Sequence, residues 1–320
     1  MRCKRRDIIG SPIIFGEVLF DVFPENYERL GGAPFNVAWH LQGFGMHPLL
    51  ISRIGKDNLA ERILSAMDSW QMDTSGIQQD KERPTGRVAV ETRGNEPVFH
   101  IKAKQAYDYI HLNQASAAVS TFHPFIMYSG TLALRSLVSY RTWKSLIRRD
   151  VPLFVDLNLR APWIKPDRVE NSLQRAAWAK LNEYELSVIS GSNDREMPDI
   201  YANALDVARH YNLAYLVVTL GAAGAIIVTR SGRLLAGKGL EVADMADSVG
   251  AGDAFSAVLI LGMWCQWPLL LTLQRALQFS AAICALKGAV SLSRSFYTEQ
   301  MERWDKEEEQ QQADYLDAPG

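Results

Sequence analysis

The segment Asp247-Ser248-Val249-Gly250-Ala251-Gly252-Asp253 sets a glycine-rich turn and a carboxylate directly before the nearly all-apolar run Ala254 to Trp264. A proline-free run of that kind predicts a buried helix whose first backbone N–H groups have no partner within the helix. Such a terminus attracts phosphate oxygens. Asp253 at the same terminus repels that anion, which makes sense if its carboxylate takes the proton of an attacking hydroxyl. Together the residues point to phosphoryl transfer to an alcohol. A capped turn with Asp253 as a helix cap has the same local pattern, so other constellations must decide.

Three further groups stand at predicted strand ends, where open α/β sheets bind ligands. Gly16-Glu17-Val18-Leu19-Phe20-Asp21 closes a strand with a carboxylate, and Gly31-Gly32-Ala33-Pro34-Phe35-Asn36 opens a helix. A carboxylate accepts from two sugar hydroxyls, the glycines admit a polyol close to the backbone, and Asn36 both donates and accepts. Phe154-Val155-Asp156-Leu157-Asn158-Leu159-Arg160 alternates acid, amide and guanidinium past a strand, which aims them to one face. Asn182 and Glu185, three apart on a first turn, could hold magnesium-bound waters or form a capping box, which has the same spacing. The turn Thr219-Leu220-Gly221-Ala222-Ala223-Gly224 lets a nucleotide lie against the backbone, although a plain strand-to-strand turn would read similarly.

These groups need a scaffold, and the pattern supplies one. With 320 residues, 48% hydrophobic and 22% charged, the chain fits one large α/β domain. Strand-like runs at Ile13 to Phe20, Leu49 to Ile54, Phe125 to Ser129, Leu153 to Asp156, Ala177 to Leu181 and Tyr215 to Thr219 alternate with helical segments at Asn36 to Phe44, Leu59 to Trp70, Leu137 to Ile147 and Ile200 to Tyr211. That alternation predicts a parallel sheet with helices on both faces. Gly86 to Glu91, the turn Gly94-Asn95-Glu96-Pro97 and Val98 to Ile101 break it as an antiparallel hairpin. With Asp21 to Leu30 the hairpin is expected to form a small lid over one sheet edge. The polar stretch Lys306 to Gln312 reads as a frayed helix or disordered tail.

A net charge of -2 argues against a nucleic-acid or membrane-surface role and for a small-molecule partner. Cys3, Cys265 and Cys284 are widely spaced without a CxxC pair, implying neither a zinc site nor a disulfide framework, so a reducing cytoplasm is expected. The basic start is followed by apolar residues broken by Asp7, Pro12 and Glu17, a poor signal peptide. The run Ala254 to Leu271, interrupted by Gln266 and Pro268, is too short to span a bilayer.

The order of the motifs, sugar-type contacts, Asn-x-x-Glu, the Thr-Leu-Gly turn and then Gly-Ala-Gly-Asp, resembles the ribokinase-like (PfkB-type) carbohydrate kinases over about residues 10 to 295. The resemblance implies a ribokinase-like α/β fold with a mostly parallel central sheet flanked by helices on both faces and a small β lid. A kinase domain is then expected at 7–298, its lid at 17–31 and 86–103, and a flexible polar tail at 299–320. It further implies Asp253 as catalytic base and Gly250, Ala251 and Gly252 as the anion hole. Asp21, Gly32 and Asn36 would bind the sugar, with Arg160 near the sugar or phosphate. Asn182 and Glu185 would place magnesium and phosphate, Glu185 through water, and Thr219, Gly221 and Gly224 would line the nucleotide. Asp247 matches the acid that in many members helps a monovalent cation, often potassium, to bind. Gly-Glu-Val-Leu-Phe-Asp, Gly-Gly-Ala-Pro-x-Asn and Asp-x-Asn-Leu-Arg look most like fructokinases, though proline is usual where Leu157 stands. The expectation is an ATP- and Mg2+-dependent kinase acting on a primary hydroxyl of fructose. Kinases for 2-keto-3-deoxygluconate, another ketose or a nucleoside are the nearest alternatives, and a non-catalytic sugar-binding regulator is the rival of another class. A homodimer through the lid is also expected.

Overall fold

The computed structural model describes residues 10–24, 27–93, 96–192, 197–242 and 245–316. Its main sheet runs in the order β13-β12-β11-β10-β9-β8-β1-β4-β5, from β1 (Ser11–Phe15), β4 (Leu49–Ile54), β5 (Ile77–Gln79), β8 (Pro124–Ser129), β9 (Leu153–Asp156), β10 (Trp178–Asn182), β11 (Tyr215–Thr219), β12 (Gly224–Thr229) and β13 (Leu234–Lys238). All pairings from β5 to β11 are parallel, while β12 and β13 return antiparallel. The expected mostly parallel α/β sheet is therefore what forms. Side chains alternate between its faces. Ile14, Leu50, Tyr128 and Phe154 enter one core and Phe15, Ile51, Met127 and Val155 the other. Burial on both sides explains why these strands read as continuous apolar runs.

Helices α1 (Ala33–Gly43), α2 (Asn58–Ser69), α8 (Ala251–Trp264) and α9 (Leu269–Cys284) cover the first face, burying Phe35, Ile63, Val258 and Phe279. On the second lie α3 (Leu112–Ser120), α4 (Leu137–Leu146), α5 (Pro166–Leu173), α6 (Glu183–Ser190) and α7 (Met197–His210), through Ala115, Trp143, Val169, Leu186 and Val207. The chain leaves β1 for β4 on one side and later returns as β8 on the other, a switch point that opens a crevice at the carboxyl ends of the strands.

The expected single strand Ile13 to Phe20 is two. Beyond β1 the chain crosses at Gly16, where a Cβ would lie 2.3 Å from Pro34 Cγ, and enters a second sheet as β2 (Leu19–Val22). That sheet has the order β3-β2-β6-β7, with β3 (Glu28–Gly31), β6 (Gly86–Arg93) and β7 (Glu96–Ile101). β6 and β7 pair antiparallel, the predicted hairpin; Gly94 and Asn95 of its expected turn lie outside the described residues.

The polar end is helical, one of its two expected forms, but the start of the expected tail is part of the core. α10 spans Arg294–Leu316, and Tyr297 and Trp304 are fully buried with Met301 packed beside them. Their spacing of four and three residues makes an apolar stripe, hidden among Glu, Gln and Lys on the other faces. Arg275 donates to Trp304 O at 2.9 Å and Trp304 Nε1 to Gln278 Oε1 at 2.8 Å, which ties the helix to α9. Against the reading of the cysteine spacing, Cys265 is disulfide-bonded; Cys284 is a buried free thiol. Among the described residues no helix is long and apolar enough to cross a membrane.

Candidate active site

Two helix N-termini meet over the crevice. α8 starts behind Gly250, whose φ of 84° is a left-handed conformation and whose Cβ, if present, would stand 2.5 Å from Ala289 Cα. Only glycine meets both demands. α1 starts behind Gly32, at φ 107°, where a Cβ would lie 2.8 Å from Glu17 O. Asn36 on the first turn of α1 donates from Nδ2 to Asp253 Oδ2 at 2.8 Å, across 217 residues of sequence. Its Oδ1 is buried without a hydrogen-bond partner, an acceptor waiting for a donor such as a sugar hydroxyl.

Burial raises the Asp253 pKa to about 7; the Asn36 hydrogen bond pulls it down, Asp156 pushes it up, and Lys180 and Arg160 pull it down again. A carboxyl that titrates near neutrality suits a general base. Gly250, Ala251 and Gly252 thus stand together at the helix terminus with Asp253 beside them, as the sequence expects.

Beneath this turn is an ion pair that the sequence reading did not single out. Lys180 Nζ lies 2.6 Å from Asp156 Oδ2, both groups buried, and the same oxygen accepts from Ser256 Oγ at 2.9 Å and Tyr128 OH at 3.1 Å. Ser256 is also 3.0 Å from Gly252 O, and a Cβ on Gly252 would stand 3.6 Å from the ammonium. The pair therefore fixes α8 to β9 and β10 just below the anion hole. Its signal was present as a lysine inside the otherwise apolar start of β10.

Glu17, within the first strand-end motif, is a second buried charge, without a sequence signal of its own. It is 3% exposed, its Oε2 has no partner, and burial raises its pKa to about 7, with Asp253 adding to the rise and Arg135 and Arg160 opposing it. Asp21 on β2 is pushed up to about 6 by burial, against the pull of Arg29 and Arg160; a Cβ on Gly31 would lie 3.3 Å from its Oδ2. Arg160 is exposed in the loop after β9 and lines a cleft with Arg135, Trp163, Lys165 and Arg168. Arg135 chelates Asp108 at 2.8 and 2.9 Å, and its second terminal nitrogen is buried without a partner.

On the opposite side, Asn182 and Glu185 form the capping box that their spacing allows: Asn182 Oδ1 accepts from Glu185 N at 2.8 Å and Glu185 Oε2 from Asn182 N at 2.9 Å. Glu185 Oε1 accepts from Leu159 N at 2.7 Å, so this buried carboxylate staples the β9 loop to α6. With both oxygens on backbone amides it offers no free oxygen for direct ligation, and each keeps a lone pair for a water. Gly221, at φ 56°, has open space where a Cβ would be, and Thr219 ends β11 beside it. Gly224 is different. A Cβ there would meet Gly237 O at 2.0 Å, so the approach of β12 to β13 accounts for it.

Asp247 Oδ1 accepts from Val249 N at 3.0 Å and Oδ2 from Arg29 Nη1 at 2.5 Å. Among the described residues no group of three or more His, Cys, Asp or Glu could hold a metal ion.

Comparison with known proteins places the chain in a family. Residues 22–295 match the family model described as pfkB family carbohydrate kinase. A fructokinase of Escherichia coli is 28% identical over 272 residues, which is 78% of this chain and 83% of the relative. The fold is also that of a fructokinase from Xylella fastidiosa with bound ATP, with a TM-score of 0.77 at 19% identity over 93% of this chain and 99% of the other. A fructokinase double mutant of Vibrio cholerae O395 in a fructose, ADP and potassium ion bound form gives 0.72 at 22% identity, over 89% and 95%.

Proposed function

Because the chain belongs to the pfkB family of carbohydrate kinases, we propose that it transfers the γ-phosphoryl group of ATP to a primary hydroxyl of fructose. The Asn36–Asp253 contact carries this reading. It puts a hydroxyl-binding amide and a base of near-neutral pKa at the N-terminus that would hold the phosphoryl group. Asn36 Oδ1 and Asp21 orient the sugar, and Asp253 accepts the proton as the hydroxyl oxygen bonds to phosphorus and the bridging bond to ADP breaks. The amides of Gly250, Ala251 and Gly252 take the charge on the transferring oxygens, while Lys180 holds that turn from below. Thr219 and Gly221 flank the nucleotide, and Gly224 closes their turn against β13. Magnesium, when bound, neutralises phosphate charge, and Asn182 and Glu185 support it through water.

The fructokinase motifs and relatives support fructose as acceptor. One observation favours a second reading. The cleft beside Arg160 gathers Arg135, Lys165 and Arg168 and no carboxylate lines it, which suits an acceptor with an acidic group, such as 2-keto-3-deoxygluconate. The free edges of β3 and β7 in the lid sheet support a homodimer through the lid, which light scattering would check.

ADP release from ATP and magnesium across fructose, ribose, 2-keto-3-deoxygluconate, ketohexose phosphates and nucleosides tests the assignment. Turnover greatest on fructose is expected. Preference for an acidic sugar would replace fructose by the second reading, and sugar binding without ADP release would point to the regulator. Asp253→Asn should abolish turnover and spare nucleotide binding; near wild-type kcat would remove the base assignment.

A further inference from the structure

Asp247 stands three residues before the left-handed Gly250 of the anion hole, so its negative charge bears on any phosphate held there. A cation bound at this acid would offset that charge, and in this chain the carboxylate already has one. Arg29 Nη1 sits 2.5 Å from Oδ2 while Oδ1 accepts the Val249 amide. The guanidinium is positioned by more than the ion pair. Its charge lies 5.3 Å from the Phe23 ring centre and 5.6 Å from that of Tyr27, and its stem passes Gly288, where a Cβ would be 3.5 Å from Arg29 Cδ.

Two nearby carbonyls are engaged as well. Cys284 O accepts from Ala246 N at 2.9 Å and from Asp247 N at 3.2 Å, which uses both of its lone pairs. Ala289 O lies 3.1 Å from His40 Nε2. Burial drives the His40 pKa down to about 3, so the ring stays neutral, and facing a carbonyl its Nε2 carries the proton and donates. A monovalent cation needs a cage of oxygens to replace its water, and here Arg29 already stands as a cation against one Asp247 oxygen, while the other oxygen and these two carbonyls each accept from the protein.

We infer that the Arg29 guanidinium takes the place of a monovalent cation at Asp247, so that phosphoryl transfer by this chain is independent of potassium. Arg29 lies on lid strand β3, so the charge is delivered as the second sheet sits over the crevice. The inference rests on the kinase reading, and its test carries a measurement that needs no acceptor.

The wild-type chain, Arg29→Met and Arg29→Lys are compared in potassium, sodium and choline chloride at equal ionic strength, by kcat/KM and by melting temperature without sugar. The wild type should vary less than about twofold between salts, with one melting temperature. Arg29→Met should lose about fivefold or more in choline, recover part of it in potassium and melt higher in potassium. Arg29→Lys, which keeps the charge, should stay closer to the wild type. A wild type activated severalfold or stabilised by potassium over choline would overturn the inference, as would an Arg29→Met variant insensitive to potassium in both measurements. If no acceptor is turned over, the kinase reading fails, while melting in the three salts still decides this one.

Discussion

Removing the Asn36 side chain should move the acid limb of activity, and the contact sets the amount. Asn36 Nδ2 donates to the Asp253 carboxylate at 2.8 Å and holds down a pKa that burial raises, with this hydrogen bond in place, to about 7. A hydrogen bond to a charged group contributes about 1.5 to 3 kcal/mol. At the lower end, with about 1.4 kcal/mol per pH unit, Asn36→Ala raises the Asp253 pKa by about one unit. The general base works deprotonated, so kcat/KM rises with pH through this pKa and the limb shifts upward. At pH 7 the active fraction falls from about a half to about a tenth, a loss of about fivefold that disappears near pH 9. Loss of the Asn36 contact to the acceptor lowers the whole curve and leaves the position of the limb alone. The measurement is kcat/KM against pH for both proteins. A limb that stays in place, or moves to lower pH, would refute the electrostatic link between Asn36 and Asp253.

Other changes have signs fixed by the same geometry. Glu17 is an acid whose folded pKa lies above its unfolded value, from 4.5 to about 7, so its charged form costs stability as pH rises through that interval. Glu17→Gln should therefore stabilise the fold by up to about 3 kcal/mol above pH 7 and by almost nothing near pH 4; equal urea midpoints at pH 8 would contradict this. Lys180→Met leaves Asp156 charged and buried and should cost about 3 to 5 kcal/mol, while adding Asp156→Leu should return much of that stability without restoring turnover. A double variant as active as the wild type would limit the pair to a structural role. Trp304→Ala should destabilise by about 3 to 5 kcal/mol because α10 is part of the core; a change below about 1 kcal/mol would restore the view of residues 299–320 as a loose tail.

What could be read from the sequence was what local chemistry fixes. The Gly250-Ala251-Gly252 turn, the apolar run behind it and the strands buried on both faces each leave a pattern within a short window. So does the β6–β7 hairpin. Contacts between distant segments leave none. The run Ile13 to Phe20 reads as one strand because every residue but Gly16 and Glu17 is apolar, and only the packing of Pro34 against Gly16 shows where one sheet ends and another begins. Gly224 reads as part of a nucleotide turn, yet its missing side chain is required by the carbonyl of Gly237 on the neighbouring strand. The buried Asp156–Lys180 pair joins β9 to β10; Asp156 alone looks like an ordinary polar residue at a strand end, and a lysine in the middle of β10 says that it has a buried partner without saying which.

That pair also bears on how a carboxylate can work beside a phosphate. A phosphoryl group entering the amides of residues 250–252 adds negative charge next to Asp253 and must raise its pKa above about 7. A higher pKa strengthens the base but reduces the fraction that is deprotonated before the reaction. Lys180 and Arg160 oppose that rise, while Asp156 limits how far Lys180 can do so. The base thus stays near the pKa at which it is both ionised and able to take a proton. Neutralising Lys180 should then depress kcat/KM most at low pH and least at high pH, whereas loss of a purely structural contact would lower the whole profile by one factor.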